Sequence, residues 1–179
     1  MFKQFFEHDN TLTEEFMDKH DRSYLKNISL LNPAHLISLG FGSGLLPKAP
    51  GTFGSLAALP ICMLLVYTPW YVTLCVAILT FFVGWYTSNI TEKAMGMHDN
   101  SAIVIDEFDG MFVSVLFFPQ NWFITILAFI LFRFFDVIKP FPISYFDRRV
   151  SGGLGVMLDD VIAGIFACVS AHIIFYIVL

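Results

Sequence analysis

SLAALPICMLLVYTPWYVTLCVAILTFFVGWYTSNI, residues 55–90, contains no Asp, Glu, Lys or Arg. Thr68-Pro69 divides it. The second piece, Trp70–Ile90, has 21 residues and measures about 31 Å as a helix, long enough for a bilayer core. The first piece is shorter and must tilt, borrow residues from Gly51 onward, or span incompletely. Working outward, apolar runs recur at 107–118, 121–138 and 160–179. With 52–67 and 70–90 they make five candidate helices. The expected fold is therefore all-α: a polytopic membrane helical bundle with about five apolar helices. The third and fourth runs are short enough to enter the membrane only in part.

Composition agrees. Charged residues are 14% of the 179, against roughly 25% in ordinary soluble domains, and hydrophobic residues are 56% with 21 Phe. The expected organisation is a polar N-terminal arm over 1–34 and a single membrane-embedded domain over 35–179. Residues 1–26 hold no apolar core and do not read as a signal peptide. A net charge of −5 without a basic aromatic patch argues against a nucleic-acid binder. Cys62, Cys75 and Cys168 all lie inside apolar runs and form no C-x-x-C pair, which argues against zinc or a disulfide framework.

The Lys and Arg residues, 10 in all, lie ahead of the first apolar helix, between 91 and 107, and from 133 to 160. The connections at 68–69 and 119–121 carry none. By the positive-inside rule the charged side is cytoplasmic, and five crossings would put the C-terminus outside. The same alternation gathers Asp106, Glu107, Asp109, Asp136, Asp147, Asp159 and Asp160 at one end of the helices. Buried acids in a membrane are costly, so they are placed at ends, paired, or functional. Like-charged acids repel, and a divalent cation relieves that repulsion. Oxygen ligands without thiolate favour Mg²⁺ over Zn²⁺. The competing expectation is simple ion pairing with Arg133, Lys139, Arg148 and Arg149.

Within FRFFDVIKPFP (132–142), Arg133 and Asp136 share a helix face, and Lys139 follows just before Pro140 and Pro142 stop the helix. GGLGVMLDD (152–160) sets Asp159 and Asp160 after a glycine turn, at the mouth of the last apolar run. GFGSGLLPKAPGTFG (40–54) fits neither a Walker A loop nor a Rossmann fingerprint, yet it leads into a helix start, whose free N–H groups suit a phosphate. A tight turn between helices explains it equally well. Cations beside a metal at headgroup depth point to a phospholipid phosphate as ligand. With no nucleophile elbow, cysteine phosphatase loop or Asp-x-Asp motif, a metal-activated water is the expected nucleophile, with an aspartate as the alternative. His98-Asp99 reads more simply as a solvated loop pair than as an acid–base pair. His35 and His172 read as structural, and Trp70, Trp85 and Trp122 as interfacial anchors near helix ends.

Taken together, GFGSGLLPKAPGTFGSL (40–56), IVIDEFDG (103–110), FRFFDVIKPFPI (132–143) and GGLGVMLDDVIAG (152–164) resemble the phosphatidylglycerophosphatase A family, in the same order and spacing over about 32–179. The resemblance implies a bacterial inner-membrane protein that removes the terminal phosphate of phosphatidylglycerophosphate with Mg²⁺. It carries over Asp106, Glu107, Arg133, Asp136, Lys139, Asp159 and Asp160 as motif positions. The expected metal shell is Asp106, Glu107, Asp136, Asp159 and Asp160. Arg133 and Lys139 would hold the phosphate, with Lys48, Thr52 and Ser55 as further candidates. Two rivals fare worse. A CDP-alcohol phosphotransferase needs a contiguous Asp-Gly…Ala-Arg array that is missing, and an ion transporter needs polar residues at helix centres.

Overall fold

A computed structural model describes residues 22–97, 100–145, 150 and 152–178. The polar arm up to residue 21, His98-Asp99 and Asp147-Arg148-Arg149 lie outside the described residues. Every regular element among the described residues is helical. They are α1 (Pro33–Ser38), α2 (Pro50–Leu65), α3 (Trp70–Met95), α4 (Ile105–Ser114), α5 (Trp122–Ile138) and α6 (Gly153–Val178), with 3-10 segments at Arg22–Asn27 and Gly40–Leu45.

The helix starts have local causes. Asn32 caps α1, its side chain accepting from the Ala34 N–H at 3.0 Å, and Asn121 caps α5 through the Phe123 N–H at 3.0 Å. Pro33 and Pro50 occupy first helical positions, where a missing N–H costs nothing. The stops are left-handed residues: Gly96 (φ 69°) ends α3, and Lys139 (φ 45°), followed by Pro140, ends α5.

Among the described residues two helices, α3 and α6, are long and apolar enough to cross a membrane, and α2 is a shorter apolar helix. With 16 and 10 residues, α2 and α4 fall short of the roughly 20 a bilayer core requires. The 17 residues of α5 include Arg133 and Asp136, which shorten its apolar part. Five full crossings are therefore not what the helix lengths support. On α3 the outward residues include Ile78, Leu79, Phe82 and Tyr86, and on α6 Val169, Ile173, Tyr176 and Ile177; all are exposed. Such apolar faces suit hydrocarbon rather than water.

The centre of the molecule is α4. All its residues except Asp106 are buried, and it packs most extensively on α6, then on α2 and α3. Two glycines let α4 and α6 touch: a Cβ on Gly164 would strike the Gly110 carbonyl, and one on Gly110 would strike the Phe132 ring and the Asp160 carbonyl. Small residues at a crossing allow this backbone approach. Gly44 plays a similar part, since a Cβ there would run into the carbonyl of Ala102, just ahead of α4.

Of the boundaries that differ from the sequence expectation, such as α4 ending at Ser114 rather than 118, two move residues singled out above. Because α6 begins at Gly153 rather than near 160, Asp159 and Asp160 lie nearly two turns inside a helix and not at its mouth. Because α3 runs on to Met95, Trp85 falls mid-helix, away from either end; Trp70 and Trp122 do open their helices. His35 and His172 are satisfied structural residues, as expected. The first accepts the Ser29 N–H on Nδ1 at 3.2 Å; the second stacks on Phe118, with ring centroids 3.8 Å apart.

Candidate active site

Three helices bring charged residues to one place, and a fourth meets them there with Gly51 and Ser55. The start of α4 supplies Asp106 and Glu107, the last turns of α5 supply Arg133 and Asp136, the second and third turns of α6 supply Asp159 and Asp160, and the first turns of α2 supply Gly51 and Ser55. Carboxylate oxygens of Glu107, Asp136 and Asp160 all lie within 4.8 Å of one another. Arg133 joins two of them, its guanidinium meeting Glu107 at 2.5 Å and Asp136 at 2.7 Å. The second of these contacts is the shared helix face that the spacing of Arg133 and Asp136 predicts.

Glu107 is held from a third direction. The Ser55 hydroxyl donates to it at 3.1 Å. Its other oxygen lies so close to α2 that a Cβ on Gly51 would collide with it. Gly51 and Ser55 are four apart on one helix face, and the glycine lets the carboxylate rest against the first turn of α2. The positive end of a helix favours such a charge. Lys139, the left-handed cap of α5, reaches Asp159 at 2.6 Å.

Acids outnumber these two cations. Asp106 Oδ1 and Asp160 Oδ2 are buried with no hydrogen-bond partner. Burial and the neighbouring charges of Glu107 and Asp159 push Asp106 well above the usual carboxylate range. Burial, then repulsion from Asp136, pushes Glu107 up to about 7 in spite of Arg133. A cluster that resists ionising on its own has the electrostatic character of a cation site.

The donor set fits a hard divalent ion. It is oxygen-only, and two ligands of one Mg²⁺ stand at most about 4.2 Å apart, twice the metal–oxygen distance. The observed 4.8 Å limit exceeds that by an amount a side-chain adjustment can close. Glu107, Asp136 and Asp160 are thus the residues that would hold it. Asp106 and Asp159 stand beside them, with Asp159 engaged by Lys139.

Among the three further phosphate candidates, Ser55 alone reaches the cluster, and it does so by positioning Glu107. Lys48 is exposed in the turn before α2, and Thr52 is half-buried in its first turn. The glycine-rich segment forms a short 3-10 turn packed on α1 and α2, with Gly40 and Phe41 against Phe108 of α4. Sequence reading missed Gly51, Gly110 and Gly164; with α2 placed from Pro50, the four-residue spacing of Gly51 and Ser55 would have marked the face that meets Glu107.

The four motifs that build this cluster fall inside one family match, since the phosphatidylglycerophosphatase A profile covers residues 36–175. The chain belongs to the phosphatidylglycerophosphatase A family. A curated phosphatidylglycerophosphatase A of Escherichia coli is 42% identical over 162 residues, 90% of this chain and 92% of that protein. One from Haemophilus influenzae is 47% identical over 154 residues, 85% of this chain and 94% of that protein. A protein of Bacteroides thetaiotaomicron described as a putative phosphatidylinositol-3-phosphatase is 39% identical over 141 residues, 74% of this chain and 87% of its own length. No solved structure matches significantly. All seven charged positions that the sequence shares with the phosphatidylglycerophosphatase A motifs lie in or beside the cluster.

Proposed function

We propose that this protein is a Mg²⁺-dependent phosphatidylglycerophosphatase, which hydrolyses the terminal phosphomonoester of phosphatidylglycerophosphate to phosphatidylglycerol and phosphate. The observation that carries the reading is the convergence of Glu107, Asp136 and Asp160 around Arg133. Family membership supports the substrate. The two long apolar helices and the gathering of charge at one end support a bacterial inner-membrane protein with its site facing the cytoplasm. On this reading α3 and α6 cross the bilayer, and α2, α4 and α5 are embedded in part.

In the reaction a water oxygen forms a bond to phosphorus, the bond from phosphorus to the glycerol oxygen breaks, the water loses a proton and the leaving oxygen gains one. Bound Mg²⁺ would supply neutralisation of the phosphoryl charge and would favour deprotonation of the attacking water. Arg133, held between Glu107 and Asp136, presents positive charge toward the same space. Lys139, held by Asp159, does so from the adjoining helix end. Asp106 lies outside the triad with Oδ1 unpartnered, and on this reading it would carry the proton. Arg133 Nη1, shared between Glu107 and Asp136, also keeps those two carboxylates together.

The test is phosphate release by purified, detergent-solubilised protein. Phosphatidylglycerophosphate should be hydrolysed with Mg²⁺ and not with excess EDTA, and Asp136→Asn should lose roughly 10²–10³-fold in kcat. Phosphatidylinositol 3-phosphate and phosphatidic acid are the comparison substrates. No release from any of them, or release indifferent to EDTA, would refute the proposal.

A further inference from the structure

A second feature lies one step deeper than the carboxylate cluster. A cavity of about 280 Å³, open on its outer side, lies between α3, α4 and α6. Apart from Asp109, every residue lining it is apolar, and its wall presents no polar atom. An apolar lining of this kind favours apolar guests over water. Its volume lies just under the roughly 300–1,000 Å³ of pockets that enclose whole small molecules, which suits a segment of a longer chain.

The position of the cavity points to the guest. Its outer residues include Ile78, Phe82 and Ile165, exposed at 50%, 57% and 47%, on the two helices long enough to cross a bilayer. Its inner wall includes Asp109 and Val113 of α4, the helix whose first turn carries Asp106 and Glu107. Asp109 and Val113 stand about 3 and 9 Å beyond Glu107 along the α4 axis, at 1.5 Å per residue. One short helix therefore carries an anion-and-metal cluster at its start and an apolar chamber along its length. The chamber opens where hydrocarbon would lie. This is the layout an amphiphile requires, with a phosphate at one end and a chain at the other.

We propose that this cavity is an acyl-chain subsite, which takes part of one hydrocarbon tail of the same phospholipid whose phosphate enters the carboxylate cluster. The proposal rests on the phosphatase reading above. It makes the enzyme selective for lipid over free headgroup, and it places that selectivity in the space beside Ala77, a buried residue of α3 on the cavity wall.

The experiment compares dioleoyl phosphatidylglycerophosphate with its deacylated headgroup, glycerophosphoglycerophosphate, in detergent micelles with Mg²⁺. Wild-type protein should prefer the diacyl substrate. Ala77→Phe, which fills the chamber, should lower the ratio of kcat/KM for diacyl over deacylated substrate by roughly tenfold. An unchanged ratio overturns the subsite, whereas no release by the wild type from either substrate overturns the phosphatase reading instead. A second measurement covers the case in which Ala77→Phe fails to fold. A phosphatidylglycerophosphate carrying a diazirine on one acyl chain is photolysed with the wild type. Crosslinks should map to Ala77–Phe82 and Val113, and deacylated competitor should displace the probe less well than diacyl competitor. Crosslinks found only elsewhere, or retained at the cavity against excess diacyl substrate as by a tightly held bilayer lipid, overturn the proposal.

Discussion

Glu107 shows how much of this site depends on neighbours that carry no charge. Its carboxylate meets Arg133, accepts from Ser55, and fits against α2 because residue 51 lacks a side chain. Outer partners of this kind typically change metal affinity or activity by 10–100-fold. Ser55→Ala is therefore expected to raise the Mg²⁺ concentration for half-maximal activity by about tenfold, measured by Mg²⁺ titration of phosphate release. Ser55→Thr should recover part of the loss, because the hydroxyl survives. The acid itself makes a pH prediction. In cation-free protein Glu107 titrates at about 7 against an ordinary 4.5. Stability from its protonated form is complete below about 4.5 and is lost as pH rises through about 7. Thermal midpoints in EDTA should fall over that window. Saturating Mg²⁺ or Glu107→Gln should flatten the slope, and a slope unchanged in Glu107→Gln would assign it to another group.

At the scale of elements, the crossing of α4 and α6 sets the distance between Glu107 and Asp160. Gly164 sits against the Gly110 carbonyl, so even a methyl group must push the helices apart. Gly164→Ala is expected to destabilise by about 1–3 kcal/mol, as overpacking does, and to lower activity together with stability. Denaturation in detergent and Mg²⁺-dependent phosphate release would measure both. Gly96→Ala is a comparison with a different cause, since Gly96 has open space around it and only a left-handed φ to lose. Element types were legible in the sequence because charge-free runs separated by Pro and Asn turns leave few alternatives to apolar helices. Element ends were less legible. Residues 152–155 read as a glycine turn, yet Gly153, Leu154 and Gly155 form the start of α6, because Gly153 must approach the Trp85 carbonyl and Asn89 closely. That need arises from α3 and has no local signature.

At the scale of the whole molecule, the charged helix ends converge while α3 and α6 keep apolar residues outward. If the charged end faces the cytoplasm, the two ends of α3 lie on opposite sides. In a background lacking Cys62, Cys75 and Cys168, a cysteine placed at Pro69 should react with a membrane-impermeant maleimide in spheroplasts, and one at Lys93 should react only after lysis. Labelling of Lys93→Cys in intact spheroplasts would reverse the orientation.

Sequence alone determined the helical class, the gathering of charge at one end of the helices and the identities of the acids and bases, because hydropathy and charge order are properties of the linear chain. The pairing of Arg133 with Glu107, the fit of Glu107 against Gly51 and Ser55, and the meeting of Glu107, Asp136 and Asp160 were decided only in the tertiary structure. Those contacts join residues 24 to 56 positions apart in the chain. Their geometry depends on how closely two backbones approach, and that is set by glycines whose partners lie on other helices.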